Sequence, residues 1–127
     1  MCIRDRLSSV QEAFIQKADG VEVDIRLTSD NEIICHHDKT GLRTTGVDKE
    51  IKDMSLQEVK TLECGSWFGE SWNKEKIPKL NEVFELLPEE KDIFIEVKTN
   101  EEIVPILLEV IQKNYKDLDK LLSLIHI

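Results

Sequence analysis

Nothing in the 127-residue sequence approaches the ~18 consecutive apolar residues that a membrane-spanning helix requires. The N-terminus also lacks the apolar stretch of a signal peptide. Positive charge is in short supply: 17 Lys and Arg against 26 Asp and Glu leave a formal charge of −9, the wrong sign for a nucleic-acid partner. The acids are spread rather than blocked, so most of them read as a solvated surface. Cysteine is scarce and odd in number. Cys2, Cys35 and Cys64 show no metal-type spacing and read as reduced thiols in a reducing, cytoplasmic compartment. What remains is a chain with 40% hydrophobic residues, long enough for one domain, or part of one, with a real core.

The informative stretch is GVEVDIRLTSDNEIICHHD, Gly20 to Asp38. Val21, Val23, Ile25 and Leu27 alternate with Glu22, Asp24 and Arg26, the period of a strand with one apolar and one polar face. Two carboxylates two residues apart on one strand face lie within reach of a single cation; an exposed polar row is the plainer alternative. Thr28, Ser29, Asp30 and Asn31 are turn formers, and Glu32 to His37 makes a second short strand. So short a connection allows only an antiparallel hairpin. Pairing Leu27 with Glu32 would set Asp24 opposite Cys35 and Glu22 opposite His37, gathering two carboxylates and an imidazole at the open end. A slip of one residue would undo that register.

Elsewhere, Leu7, Val10, Phe14 and Ala18 keep helical spacing. Ser8 with Gln11, or Ser9 with Glu12, fits a capping box, and Gly20 would close the helix. Lys39 to Asp53 reads as a long polar loop with a functional role. Ser55 with Glu58 caps a short helix bearing Leu56, Val59 and Leu62. Gly65 to Gly69 and Trp72 form an aromatic loop, read most simply as packed onto the body of the domain. A helix from Leu80 to Leu87 stops at Pro88. Asp92 to Lys98 alternates Ile93, Ile95 and Val97 with Phe94, Glu96 and Lys98, where a mutual ion pair or a solvent-facing edge competes with a functional reading. A helix over about 101–114 follows, and the tail shows no further strand signal. Alternating helices and strands predict an α/β fold, a barrel or open sheet with its site at the carboxyl ends of the strands.

Glu22, Asp24 and Glu96 form an all-oxygen set that suits magnesium, calcium or manganese rather than zinc. Lys98 supplies a fixed positive charge for a phosphate. An imidazole is the side chain suited to moving protons near neutral pH, so His37 is the natural general acid or base. His36, its neighbour, points to the opposite face and reads as a packed or surface residue, and Cys35 as a small buried one. The sum points to metal-assisted phosphodiester hydrolysis.

The same motifs, with KTGLRTTG, GSWF, IPKLNEVFELL and IEVKT in order, resemble the glycerophosphodiester phosphodiesterase family over residues 7–114. The resemblance implies a TIM-type (β/α)8 barrel, of which this chain would be about half. It also implies a divalent cation, Mg2+ or Ca2+, and hydrolysis of a small-molecule glycerophosphodiester to glycerol 3-phosphate and an alcohol. Glu22, Asp24 and Glu96 would hold the metal, with His37 catalytic, Lys98 near the phosphate, and Asp38 and Arg43 ordering the surrounding loop. The family's opening His-Arg-Gly strand and its Pro-Glu-Asn-Thr motif have no counterpart. Residues 1–6 and 115–127 do not match the pattern and read as non-native ends. A half-barrel exposes two open sheet edges and the apolar backs of its strands, so the isolated chain is expected to lack turnover even if it binds a cation. Alternatives are a phospholipase D-like or cyclising phosphodiester lyase of the same barrel type, and a non-catalytic metal-binding module.

Overall fold

The computed structural model describes residues 6–66, 69–72, 74–114 and 121–125. Helix α1 (Leu7–Ile15) leads to strand β1 (Gly20–Leu27), which forms a hairpin with β2 (Ile33–Cys35). A small excursion follows: β3 (Thr40–Gly41), α2 (Leu42–Thr45), β4 (Val47–Glu50) and the short helix α3 (Leu56–Thr61). The chain then enters α4 (Leu80–Leu86), β5 (Asp92–Val97), α5 (Ile103–Asn114) and β6 (Leu121–Ile125). The main sheet has the order β2-β1-β5-β6, antiparallel only in the β1–β2 hairpin. Strands joined through helices and running parallel are the expected consequence of α/β alternation. Among the described residues there is no closed barrel.

The two faces of this sheet differ. Val23, Ile25, Ile93, Ile95 and Val97 are buried against Val10 of α1, Leu80 and Val83 of α4, and Ile103, Leu107 and Ile111 of α5. Each helix turns its i, i+3/i+4 apolar stripe to the same side, which is why β1 and β5 can bury a full row of branched residues. Gly20 lets the starts of β1 and β5 approach closely, since a Cβ there would lie 2.8 Å from the Asp92 carbonyl oxygen. A second, smaller core joins Ile34, Ile51, Met54, Val59, Cys64 and Ile77, pinning the excursion onto β2.

Several expectations are corrected. No side chain caps α1, whose N-cap is Arg6. The helix ends through Lys17 at φ 64°, with the Ala18 amide donating to the Ala13 carbonyl at 2.9 Å, and Gly20 already belongs to β1. Residues 39–53 are not an open loop. Thr40 pairs with Glu50, Gly46 turns at φ 78°, and the Ile51 amide donates to the Lys39 carbonyl at 3.0 Å. The tail residues Leu121–Ile125 form a strand parallel to β5. The Ser55 cap on α3 is present, accepting from the Glu58 amide at 3.2 Å. The aromatic pair Trp67 and Phe68, Cys2 and His126 lie outside the described residues.

The hairpin register also differs from expectation. Ile25 pairs with Cys35, Arg26 with Ile34 and Leu27 with Ile33, one residue off the expected pairing. The cause is the turn. Thr28 closes on Glu32 twice, its amide donating to the Glu32 carbonyl at 2.9 Å and its hydroxyl oxygen accepting from the Glu32 amide at 3.0 Å. The same hydroxyl donates to Asp30 Oδ1 at 2.7 Å, and Asn31 takes φ 62°. Glu32 is thereby drawn into the turn instead of the ladder. Asp24 then faces His36, whose amide donates to the Asp24 carbonyl at 2.9 Å, and Glu22 does not face His37.

Candidate active site

The carboxylates converge in spite of the shifted hairpin, because their meeting depends on β5 instead. Asp24 stands beside Glu96 in the parallel β1–β5 register, and strand alternation sets Glu22 on the same face. Glu22, Asp24 and Glu96 each offer a carboxylate oxygen, and these lie within 4.8 Å of one another. Asp24 is 3% exposed, and its Oδ1 accepts no hydrogen bond. Burial pushes the Asp24 carboxyl above its ordinary value, and Glu96 pressed against it pushes the same way. A buried carboxylate crowded by two others and short of donors is the donor set a hard divalent cation relieves, so these residues fit such an ion.

Lys98 stands at the rim, its Nζ donating to Glu96 Oε1 at 2.7 Å and lying 3.7 Å from Asp24 Oδ1. That contact with Glu96 raises its affinity for a proton and keeps it cationic. His37 sits just past the end of β2 with its side chain 49% exposed, close enough for its charge to act on the Asp24 carboxyl. Its Nδ1 lies 2.8 Å from Asp38 Oδ1. Arg43 grips that carboxylate at both oxygens, Nε to Oδ2 at 2.6 Å and Nη2 to Oδ1 at 2.7 Å, holding Asp38 well below the usual carboxylate range. An ionised Asp38 only accepts, so His37 Nδ1 carries the proton and Nε2 is left as the ring's acceptor. His36 plays a different part: it is buried, its Nε2 donates to the Thr40 carbonyl at 3.1 Å, and burial pushes its affinity for a proton down. It anchors the segment after β2 and stays neutral.

The sequence pattern marks Arg26 only as the third member of a polar row. Its guanidinium donates from Nε and Nη2 to the His37 carbonyl, at 3.2 and 2.8 Å, and from Nη1 to the Lys98 carbonyl at 3.0 Å. The signal that could have found it is its position two residues beyond Asp24 on the same strand face.

Comparison with known proteins decides the family. The family model for the Glycerophosphoryl diester phosphodiesterase family matches residues 6–123. The chain belongs to this family. A glycerophosphodiester phosphodiesterase of Caldanaerobacter subterraneus subsp. tengcongensis is 39% identical over 98 residues, covering 77% of this chain and 40% of the relative. One from Bacillus subtilis is 33% identical over 99 residues, covering 72% of this chain and 34% of the relative. Among solved structures, an Oleispira antarctica phosphodiesterase in complex with the product sn-glycerol-3-phosphate superposes with TM-score 0.84 at 30% identity, over 94% of this chain and 50% of that one. The glycerophosphodiester phosphodiesterase of Thermotoga maritima gives TM-score 0.77 at 29% identity, over 97% of this chain and 48% of that one. The chain thus spans well under half the length of these curated relatives and about half of the matched structures. Its open sheet is a portion of the TIM-type barrel of the family.

Proposed function

We propose that the described site serves metal-dependent hydrolysis of glycerophosphodiesters to glycerol 3-phosphate and an alcohol. The observation that carries this reading is the meeting of Glu22, Asp24 and Glu96, with Lys98 at the rim and His37 nearby. A divalent cation held by the three carboxylates would polarise a phosphoryl oxygen and offset the charge that develops on it. Three carboxylate oxygens within 4.8 Å of one another are close enough to share one oxygen-liganded divalent cation of the calcium or magnesium kind.

The protein's own groups divide the remaining work. Lys98, kept cationic by Glu96, holds a second phosphoryl oxygen by charge. His37 Nε2 takes a proton from the attacking water or, once protonated, returns one to the leaving alcohol. Asp38, clamped by Arg43, fixes the imidazole tautomer and steadies the imidazolium. Taking one proton and delivering another is best done by two groups, and among the described residues His37 is the one imidazole beside the cluster. The chain is therefore expected to bind cation and phosphomonoester while turning over diester poorly.

The test is a 31P titration of sn-glycerol 3-phosphate into the chain with and without Ca2+. Ca2+-dependent binding that is lost in Lys98→Met supports the reading, and binding indifferent to both overturns it. Robust release of glycerol 3-phosphate from glycerophosphocholine by the chain would overturn the expectation of poor turnover.

A further inference from the structure

Strand pairing alone does not hold His37 or Lys98 in place. The β1–β2 ladder ends at Cys35, with the His36 amide still tied to the Asp24 carbonyl at 2.9 Å. The β1–β5 ladder ends at Val97, with the Lys98 amide tied to the Ile25 carbonyl at 3.0 Å. The carbonyls of His37 and Lys98 lie beyond both ladders, on opposite sides of β1, and one guanidinium reaches both of them. We propose that Arg26 is a positioning residue: through these two carbonyls it sets the spacing between the imidazole of His37 and the ammonium of Lys98 about the carboxylate cluster. This rests on the reading of the site given above.

The chemistry of the side chain suits that task. A guanidinium is planar, permanently charged and carries donors along more than one edge in a fixed fork, so it can bridge two acceptors without a free rotor between them. A lysine at the same position supplies the charge but one mobile ammonium, which cannot hold two carbonyls at a set distance. Arg26 is itself a cation and no ligand for the cluster, so its loss leaves the three carboxylates in place. The slack would appear where the proton-moving and phosphate-holding groups sit.

The experiment compares the wild-type chain with Arg26→Lys and Arg26→Gln, using Mn2+ as a paramagnetic probe and NMR as the readout. Arg26→Lys is expected to lose no more than about tenfold in Mn2+ affinity. In the same variant, Mn2+-induced broadening at the His37 ring and the Lys98 ε-methylene changes several-fold, because broadening depends steeply on distance. Arg26→Gln, which keeps one planar amide donor, disturbs one of the two residues and spares the other. Wild-type signals at Val59 and Cys64 in the second core would show that the fold is intact. Broadening unchanged at both His37 and Lys98 in Arg26→Lys overturns the proposal. If the wild-type chain fails to bind Mn2+, the cation reading of the site falls. The strut is then judged from the carbonyl 13C shifts of His37 and Lys98 in the metal-free chain, whose joint displacement in Arg26→Lys supports it and whose constancy overturns it.

Discussion

Strands β1 and β5 present two faces built from alternate residues of the same segments, and the two are under opposite physical demands. Toward the helices, Val23, Ile25, Ile93, Ile95 and Val97 exclude water and satisfy nothing but packing. On the other side, Glu22 and Glu96 crowd like charge around the buried Asp24 carboxylate, which Lys98 at the rim offsets only in part, so that the folded chain by itself holds it at a cost. The first face explains why the sheet persists. The second departs from what stability alone would choose, and that departure is what the proposed function rests on.

Substitutions on the two faces should therefore separate stability from ion binding. The largest effect is expected on the apolar face, where Ile95→Ala leaves a cavity and costs about 2–5 kcal/mol in urea denaturation. The folded fraction of that variant should keep its affinity for Ca2+. A variant that lost ion binding while folded would show that the two faces are not separable.

Asp24→Asn should act with the opposite sign. The carboxyl of Asp24 is raised above its ordinary value of 3.8, so the folded chain holds that proton more tightly than the unfolded one. The stability linked to it is present below that ordinary value and is lost as pH rises through the folded value. At neutral pH the ionised carboxylate thus weighs against the fold, and Asp24→Asn is expected to raise the metal-free Tm. It should also abolish the rise in Tm that Ca2+ gives the wild type, because a ligand that binds only the folded chain stabilises it by mass action. A metal-free Tm that falls would contradict the crowding seen around this residue.

A smaller effect is expected beside the cluster, at Asp38. Arg43 and His37 hold its carboxyl below the ordinary 3.8, so its contribution is present above that value and is lost as pH falls below it. The stability gap between wild type and Asp38→Asn should be constant near neutrality and close as the pH drops past about 3.8. A gap that stays open in acid would mean that the lost stability does not come from the ionised carboxylate that Arg43 grips.

Strict alternation in Val21–Leu27 and Ile93–Val97 makes the two faces legible in the sequence, which also groups Glu22, Asp24, Glu96, Lys98 and His37. It misplaced the hairpin register because Thr28 uses both its amide and its hydroxyl on Glu32, a local contest that turn propensities do not resolve. The carboxylates still meet, since Asp24 finds Glu96 across a parallel pair whose register is set by helix packing and the close approach at Gly20. The excursion over residues 39–53 was hidden by its polarity: its three apolar residues in fifteen, Leu42, Val47 and Ile51, keep neither a strand nor a helix period, and its buried anchors are Ile51 and, just beyond it, Met54. Arg26 was hidden for a different reason. Its partners are main-chain carbonyls, which leave no trace in a pattern of side chains.

The central claim is that three acids from β1 and β5 hold one hard cation. Calorimetric titration of Ca2+ into the wild-type chain and into Glu22→Gln, Asp24→Asn and Glu96→Gln tests it most directly. The account predicts one site in the wild type and a loss of more than about tenfold in affinity in every variant, more than an outer residue would cost. A wild-type chain that binds no Ca2+, or binding that survives all three substitutions, would contradict it.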